Sequence, residues 1–224
     1  MRIAVVSLKG GVGKTFVATN LATYLSLYHK KKVLLVDLNG KIANAFLFTK
    51  KEVPQTNHLY QGIQITQFFH LKQADALEGD VEKELQLLER VYDYIVFDVP
   101  PNFQRIKQVE PYVDVILLVT SPTLLSVYTN YLLYKYLDKS KVKLVLNMYG
   151  IGLDAEMVSS IFNKDISVIM PYNKEVLHAE NYLVPLVAWK KNSRVSRSID
   201  ELAYVLTGIK LRRGIIEMIL SFFF

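Results

Sequence analysis

The stretch Ile3-Ala4-Val5-Val6-Ser7-Leu8-Lys9-Gly10-Gly11-Val12-Gly13-Lys14-Thr15 decides the reading of the chain. Ile3–Ser7 is a continuous apolar run ending in a small polar residue, as in a strand covered on both faces. The glycines let the backbone wrap a phosphate and aim successive N–H groups at it. The pattern predicts that Lys14–Tyr28 opens a helix at once, whose N-terminus adds partial positive charge. In such a loop Lys14 reaches the β- and γ-phosphates, and the Thr15 hydroxyl is a ligand for Mg²⁺. A merely tight strand–helix turn needs one or two glycines, not three followed in register by Lys-Thr.

Outward from the loop, apolar runs alternate with helical patterns. Val33–Asp37, Ile63–Phe69, Tyr92–Asp98, Val113–Thr120, Val142–Asn147 and Ile166–Met170 read as further strands. Val81–Arg90, Thr123–Leu137, Asp154–Phe162, Lys174–Asn181 and Ser193–Leu206 read as helices. This alternation predicts an α/β fold: a doubly wound, mostly parallel sheet with helices on both faces. The 224 residues suit one domain, taken as 1–208, followed by a helical tail over 209–224.

Composition narrows the classes. Half of the chain is hydrophobic and about a fifth charged, as in a globular protein. The absence of cysteine excludes disulfides, thiolate zinc sites and cysteine-ligated iron–sulfur clusters. Four histidines show no metal-ligand spacing, and no Ser/His/Asp grouping suggests a hydrolase triad. No secretory signal or bilayer-length apolar run is evident, which predicts a cytoplasmic location. The formal net charge of +6 suits nucleotide, nucleic acid or anionic lipid without choosing among them.

Lys9 ahead of the glycines makes the loop resemble that of the ParA/MinD ATPases, the deviant Walker-A type of P-loop NTPase, which reads KGGxGK[ST]. The resemblance spans most of the chain. Val33–Asp37 resembles the family's second strand, ending on the switch I aspartate. Tyr92-Asp93-Tyr94-Ile95-Val96-Phe97-Asp98-Val99-Pro100-Pro101 is similar to its Walker B strand and the switch II turn after it. Leu144-Val145-Leu146-Asn147 resembles the strand whose Asn reads the adenine edge, and Met170-Pro171-Tyr172 lies where backbone packs beside the base.

The resemblance implies ATP and Mg²⁺ as cofactors. Gly10, Gly11, Val12, Gly13, Lys14, Thr15, Phe16, Asn147 and Pro171 would bind the nucleotide, and Thr15, Asp37 and Asp98 the metal. Lys9 would touch the partner subunit's nucleotide, so that ATP closes a homodimer. Lys9, Lys14, Asp37 and Asn39 would serve hydrolysis. The family usually reads Asp-x-Asp where this chain has Asp37-Leu38-Asn39. Asn39 can orient water but is a poor proton acceptor, which implies slow turnover.

The implied function is an ATP-dependent dimerising switch ATPase that positions cargo on a surface and answers to an activating partner protein. Two surfaces stand open. Ile209–Phe224 is a basic, then Ile/Leu/Phe-rich segment resembling the MinD branch's C-terminal membrane-targeting helix, suited to an anionic inner membrane face. The basic stretch 190–213 suits the nonspecific nucleoid DNA binding of ParA relatives. A nucleotide-gated interaction module with negligible turnover is a third reading. Small-molecule ligases of the same superfold are disfavoured by Lys9, and the reductases and scaffold ATPases that need iron–sulfur clusters by the lack of cysteine.

Overall fold

Arg2–Val6 (β1), Val33–Asp37 (β2), Tyr94–Asp98 (β5), Val115–Thr120 (β6) and Val142–Tyr149 (β7) are strands whose central residues are almost all buried, as continuous apolar runs require. The computed structural model describes residues 1–38, 58–60, 63–67 and 80–210. Within them His58–Tyr60 (β3), Ile63–Gln67 (β4) and Ile166–Pro171 (β8) complete a sheet ordered β3-β4-β2-β5-β1-β6-β7-β8. All neighbours pair in parallel except β3 with β4.

Alternate residues of each strand feed two cores. Ile3, Val5, Val33, Leu35, Val96, Leu117 and Val145 pack under Lys14–Leu27 (α1), Leu186–Trp189 (α7) and Arg194–Thr207 (α8). Ala4, Val6, Leu34, Val36, Ile95, Phe97, Leu118 and Leu144 face Asp80–Glu89 (α2), Phe103–Val109 (α3), Leu124–Tyr134 (α4) and Ala155–Phe162 (α5). Lys174–Asn181 (α6) adds Ala179 to the first core. The fold is therefore the expected α/β sandwich with helices on both faces. The chain runs outward from β1 to β2, returns to β5 beside β1, then winds the other way through β6 to β8. The loops after β1, β5 and β6 meet where that winding reverses, the place where open α/β sheets bind ligands.

Local differences from the sequence reading have physical causes. Thr123, Asp154 and Ser193 precede their helices in extended conformation, and each accepts an N–H of the first turn as an N-cap. Strand β7 runs two residues past Asn147, through a register shift and Met148 at φ 59°. Helices α3 and α7 and strand β3 are short elements without enough period to predict. Gly208, at φ 68°, ends α8 with its N–H on Tyr204 O at 2.8 Å. The tail from 211 onward, and residues 68–69 of the expected strand Ile63–Phe69, lie outside the described residues. No helix among the described residues is long and apolar enough to cross a membrane.

Candidate functional site

The loop leaving β1 is held from two sides by buried amides. Asn130 of α4, fully buried, accepts from the Leu8 N–H at 3.0 Å and the Ser7 hydroxyl at 3.0 Å. Asn147 of β7 is 5% exposed and donates Nδ2 to the Val12 carbonyl at 2.8 Å. Gly11 and Gly13 take φ of 77° and 88°, the left-handed region open to glycine at little cost. A Cβ on Gly13 would lie 2.4 Å from Asn147 Nδ2, so no side chain fits under that amide. On Gly10 and Gly11 a Cβ would meet nothing within 4 Å, which leaves that side of the loop open.

Helix α1 begins directly behind Gly13, with no side-chain cap and no acidic residue in its first turn. Its leading N–H groups and its dipole therefore stay available to an anion. Val12 and Phe16 are buried and seat the loop on the core. Lys14 is 8% exposed. Burial holds its ammonium below the ordinary lysine range, and the attraction of Asp98 opposes that in part. A group so placed gains from an arriving anionic partner.

The carboxylates come from neighbouring strands. Asp37 ends β2, Asp98 ends β5, and the two are register partners, 2% and 0% exposed. The Thr15 hydroxyl donates to Asp98 Oδ2 at 2.6 Å. Two buried carboxylates and a hydroxyl, all hard oxygens, form a donor set of the kind Mg²⁺ takes while keeping some of its water. Leu38 donates its N–H to Asp98 O at 3.0 Å, which ties the start of the next segment to the same point. Asn39 itself lies outside the described residues.

Lys9 is half-buried at the loop's entrance, its N–H on Ser7 Oγ at 3.1 Å. Pro171 sits at the end of β8 opposite Tyr149, and the Tyr172 N–H bonds Tyr149 O at 2.8 Å. Among the expected site residues within the described segments, all lie on this one edge of the sheet. Sequence reasoning missed Asn130, the single amide in a helix without charged residues. That helix pattern was the available signal, since a fully buried amide needs partners.

Fold and loop together define a P-loop nucleotide-binding α/β domain. Residues 3–202 match the family model described as the CobQ/CobB/MinD/ParA nucleotide binding domain, and the chain belongs to that family. It is 25% identical to an uncharacterized ATP-binding protein of Methanocaldococcus jannaschii, over 94% of this chain and 89% of the relative. It is 22% identical to the septum site-determining protein MinD of Thermotoga maritima, over 99% of this chain and 96% of the relative. The solved MinD of Pyrococcus horikoshii, complexed with Mg-ADP, superposes with a TM-score of 0.78 at 23% identity, covering 92% of this chain and 95% of that one.

Proposed function

We propose that the chain is an ATP-dependent dimerising switch that binds ATP with Mg²⁺, closes face to face on a second copy, and releases it after slow hydrolysis. The observation that carries this reading is Lys9, a second lysine at the entrance of a loop that already has Lys14 for its own phosphates. The N–H groups of Gly10–Thr15 wrap the phosphates, and Lys14 neutralises their charge from below. Thr15, Asp37 and Asp98 would hold Mg²⁺, which would supply positive charge to the phosphates. Asn39 orients the attacking water without taking its proton.

The base end follows from one bond. Asn147 commits Nδ2 to the Val12 carbonyl, so its Oδ1 is the atom left to read a ligand. An acceptor there suits the 6-amino group of adenine and opposes the 6-oxo group of guanine. ATP is the nucleotide, and Pro171 backs the base with backbone.

For the surface, two observations favour membrane over DNA. Lys190 pairs with Glu175 at 2.8 Å, and Lys191 lies 5.0 Å above the Tyr28 ring, so two cations of the basic stretch already have partners within the domain. Arg194 and Arg197 stay exposed there. The tail 209–224 supplies the apolar side chains that an interfacial helix needs, and two copies held in a dimer gain avidity of about 10²–10⁴ over one.

Lys9→Ala tests the reading. Nucleotide binding should persist while ATP-dependent dimerisation, followed by light scattering, disappears; an unchanged dimer overturns the proposal. Sedimentation with anionic liposomes and with DNA, each in ATP and in ADP, tests the surface. Pelleting with liposomes only in ATP, lost on deleting 209–224, supports the membrane, whereas ATP-dependent DNA binding by the truncated chain moves the assignment to DNA.

A further inference from the structure

One side chain of helix α4 grips the loop that leaves β1. Asn130 has no exposed surface. Its Oδ1 accepts from Leu8 N–H and from the Ser7 hydroxyl, both at 3.0 Å, and its Nδ2 donates to the Val119 carbonyl of β6 at 3.1 Å. These partners fix both halves of the amide. Flipped, it would set a donor against the Leu8 N–H and an acceptor against the Val119 carbonyl.

The contact continues to Lys9. The Lys9 N–H donates to Ser7 Oγ at 3.1 Å, and the same hydroxyl lies 3.2 Å from the Lys9 carbonyl. Val119, Asn130, Ser7 and Lys9 thus form one chain of hydrogen bonds running from β6 to the loop's entrance. The other buried amide, Asn147, engages the loop at Val12, on the Lys14 side. The two asparagines thus hold the loop at different points, Asn130 at Ser7 and Leu8 and Asn147 at Val12.

We infer that Asn130 is a positioning residue for Lys9, fixing the backbone from which that side chain reaches the partner subunit's nucleotide. The inference rests on the dimer reading above. A purely structural amide would weaken every property of the fold together, whereas a positioning amide separates Lys9-dependent dimerisation from nucleotide binding at the Lys14 end.

Asn130→Asp gives the separating test. The aspartate keeps the acceptor for Leu8 and Ser7, but as a carboxylate it opposes the Val119 carbonyl. Protonated, it regains a donor and is nearly isosteric with asparagine, and burial favours that form as pH falls. The full chain, Asn130→Asp, Asn130→Leu and Lys9→Ala are compared in two measurements. One is MgADP affinity, from titration of a fluorescent ADP analogue. The other is the dimer dissociation constant in MgATP, from light scattering over a concentration series, near pH 8 and near pH 5.5.

Relative to the wild type at the same pH, Asn130→Asp should dimerise roughly tenfold or more weakly under alkaline conditions, the scale of a lost buried hydrogen bond, and recover to within about threefold under acid ones. Its MgADP affinity should fall much less. Asn130→Leu should dimerise weakly at both pH values. Wild-type-like dimerisation of Asn130→Leu at both pH values, with Lys9→Ala unable to dimerise, overturns this inference alone. Equal losses of MgADP affinity and dimerisation without acid recovery assign Asn130 to the fold at large and also overturn it. Normal dimerisation of Lys9→Ala overturns the dimer reading and this inference with it.

Discussion

Two glycine-bearing loops leave the same edge of the sheet, and they use glycine for opposite reasons. After β1, Gly10 and Gly11 border open space, and a Cβ there would touch nothing within 4 Å. After β7, Gly152 is enclosed: a Cβ would lie 2.0 Å from the Pro122 carbonyl oxygen, and the next residue, Leu153, donates its N–H to that oxygen at 2.8 Å. The first loop keeps its backbone bare for something that arrives; the second does so because another loop already fills the space. Gly13 belongs to both kinds, since it opens α1 and also lies flat against Asn147. Glycine in a loop at a sheet's binding edge is therefore no evidence of a ligand until the space beside it has been measured.

Three substitutions or titrations sharpen that contrast. Gly152→Ala should be the most damaging to the fold, because its Cβ meets backbone and its φ of 122° suits no L side chain. A loss of about 3 kcal/mol is expected, the upper range for overpacking, which lowers the melting temperature of a chain this size by roughly 6–12 °C. MgADP affinity measured on the folded fraction should change little. A variant that melts with the wild type would show that the β7 loop relaxes freely and would dissolve the contrast.

Gly11→Ala should behave in the reverse way. Strain at φ 77° costs about 1–2 kcal/mol and the Cβ clashes with nothing. On the ligand side, a methyl in that open space pushes phosphate off one charge-assisted N–H contact worth about 1.5–3 kcal/mol, which lowers MgADP affinity roughly ten- to a hundredfold. Titration beside a melting curve checks both halves, and unchanged affinity would mean that the open side of the loop is not where the phosphates lie.

The smallest effect concerns protons. Burial lowers the Lys14 pKa in the free protein, and bound phosphates should return it toward its ordinary value. Nucleotide binding should then take up a fraction of a proton on the alkaline side, between the lowered and the ordinary lysine pKa, and affinity should fall as pH rises through that window. Calorimetry in buffers of different ionisation enthalpy reads the uptake directly. No uptake at any alkaline pH would mean that Lys14 is fully charged before ligand arrives.

The β1 loop was legible in the sequence because its chemistry is local: three glycines, two lysines and a threonine within seven residues. The sheet was legible for a similar reason, since strands buried on both faces are written as uninterrupted Val, Ile and Leu. Gly152 was not legible, because the reason for it is Pro122, thirty positions earlier in the chain and joined to it only by the fold. The family resemblance makes Asn147 a base contact, while its bond to Val12, a partner so distant in sequence, leaves no trace in the sequence. The helical pattern takes in Thr123, Asp154 and Ser193 although they stand one residue outside, a boundary set by cap geometry that periodicity does not resolve. Short α7 offered only Leu186-Val187-Ala188-Trp189, too few residues to reveal a helical period.

The side-by-side carboxylates of Asp37 and Asp98 have a consequence for the lifetime of the protein. Two buried acids at adjacent strand ends, beside a Lys14 ammonium that burial holds below the ordinary lysine range, crowd charge at this edge of the sheet, a cost that bound ligand offsets. Any species that binds only the folded chain shifts the unfolding equilibrium by mass action, about 2.7 kcal/mol at a hundred times its dissociation constant. Resistance to heat and to proteases should then follow the supply of nucleotide, so that a thermal-shift series against ATP concentration doubles as a measure of how full the protein is.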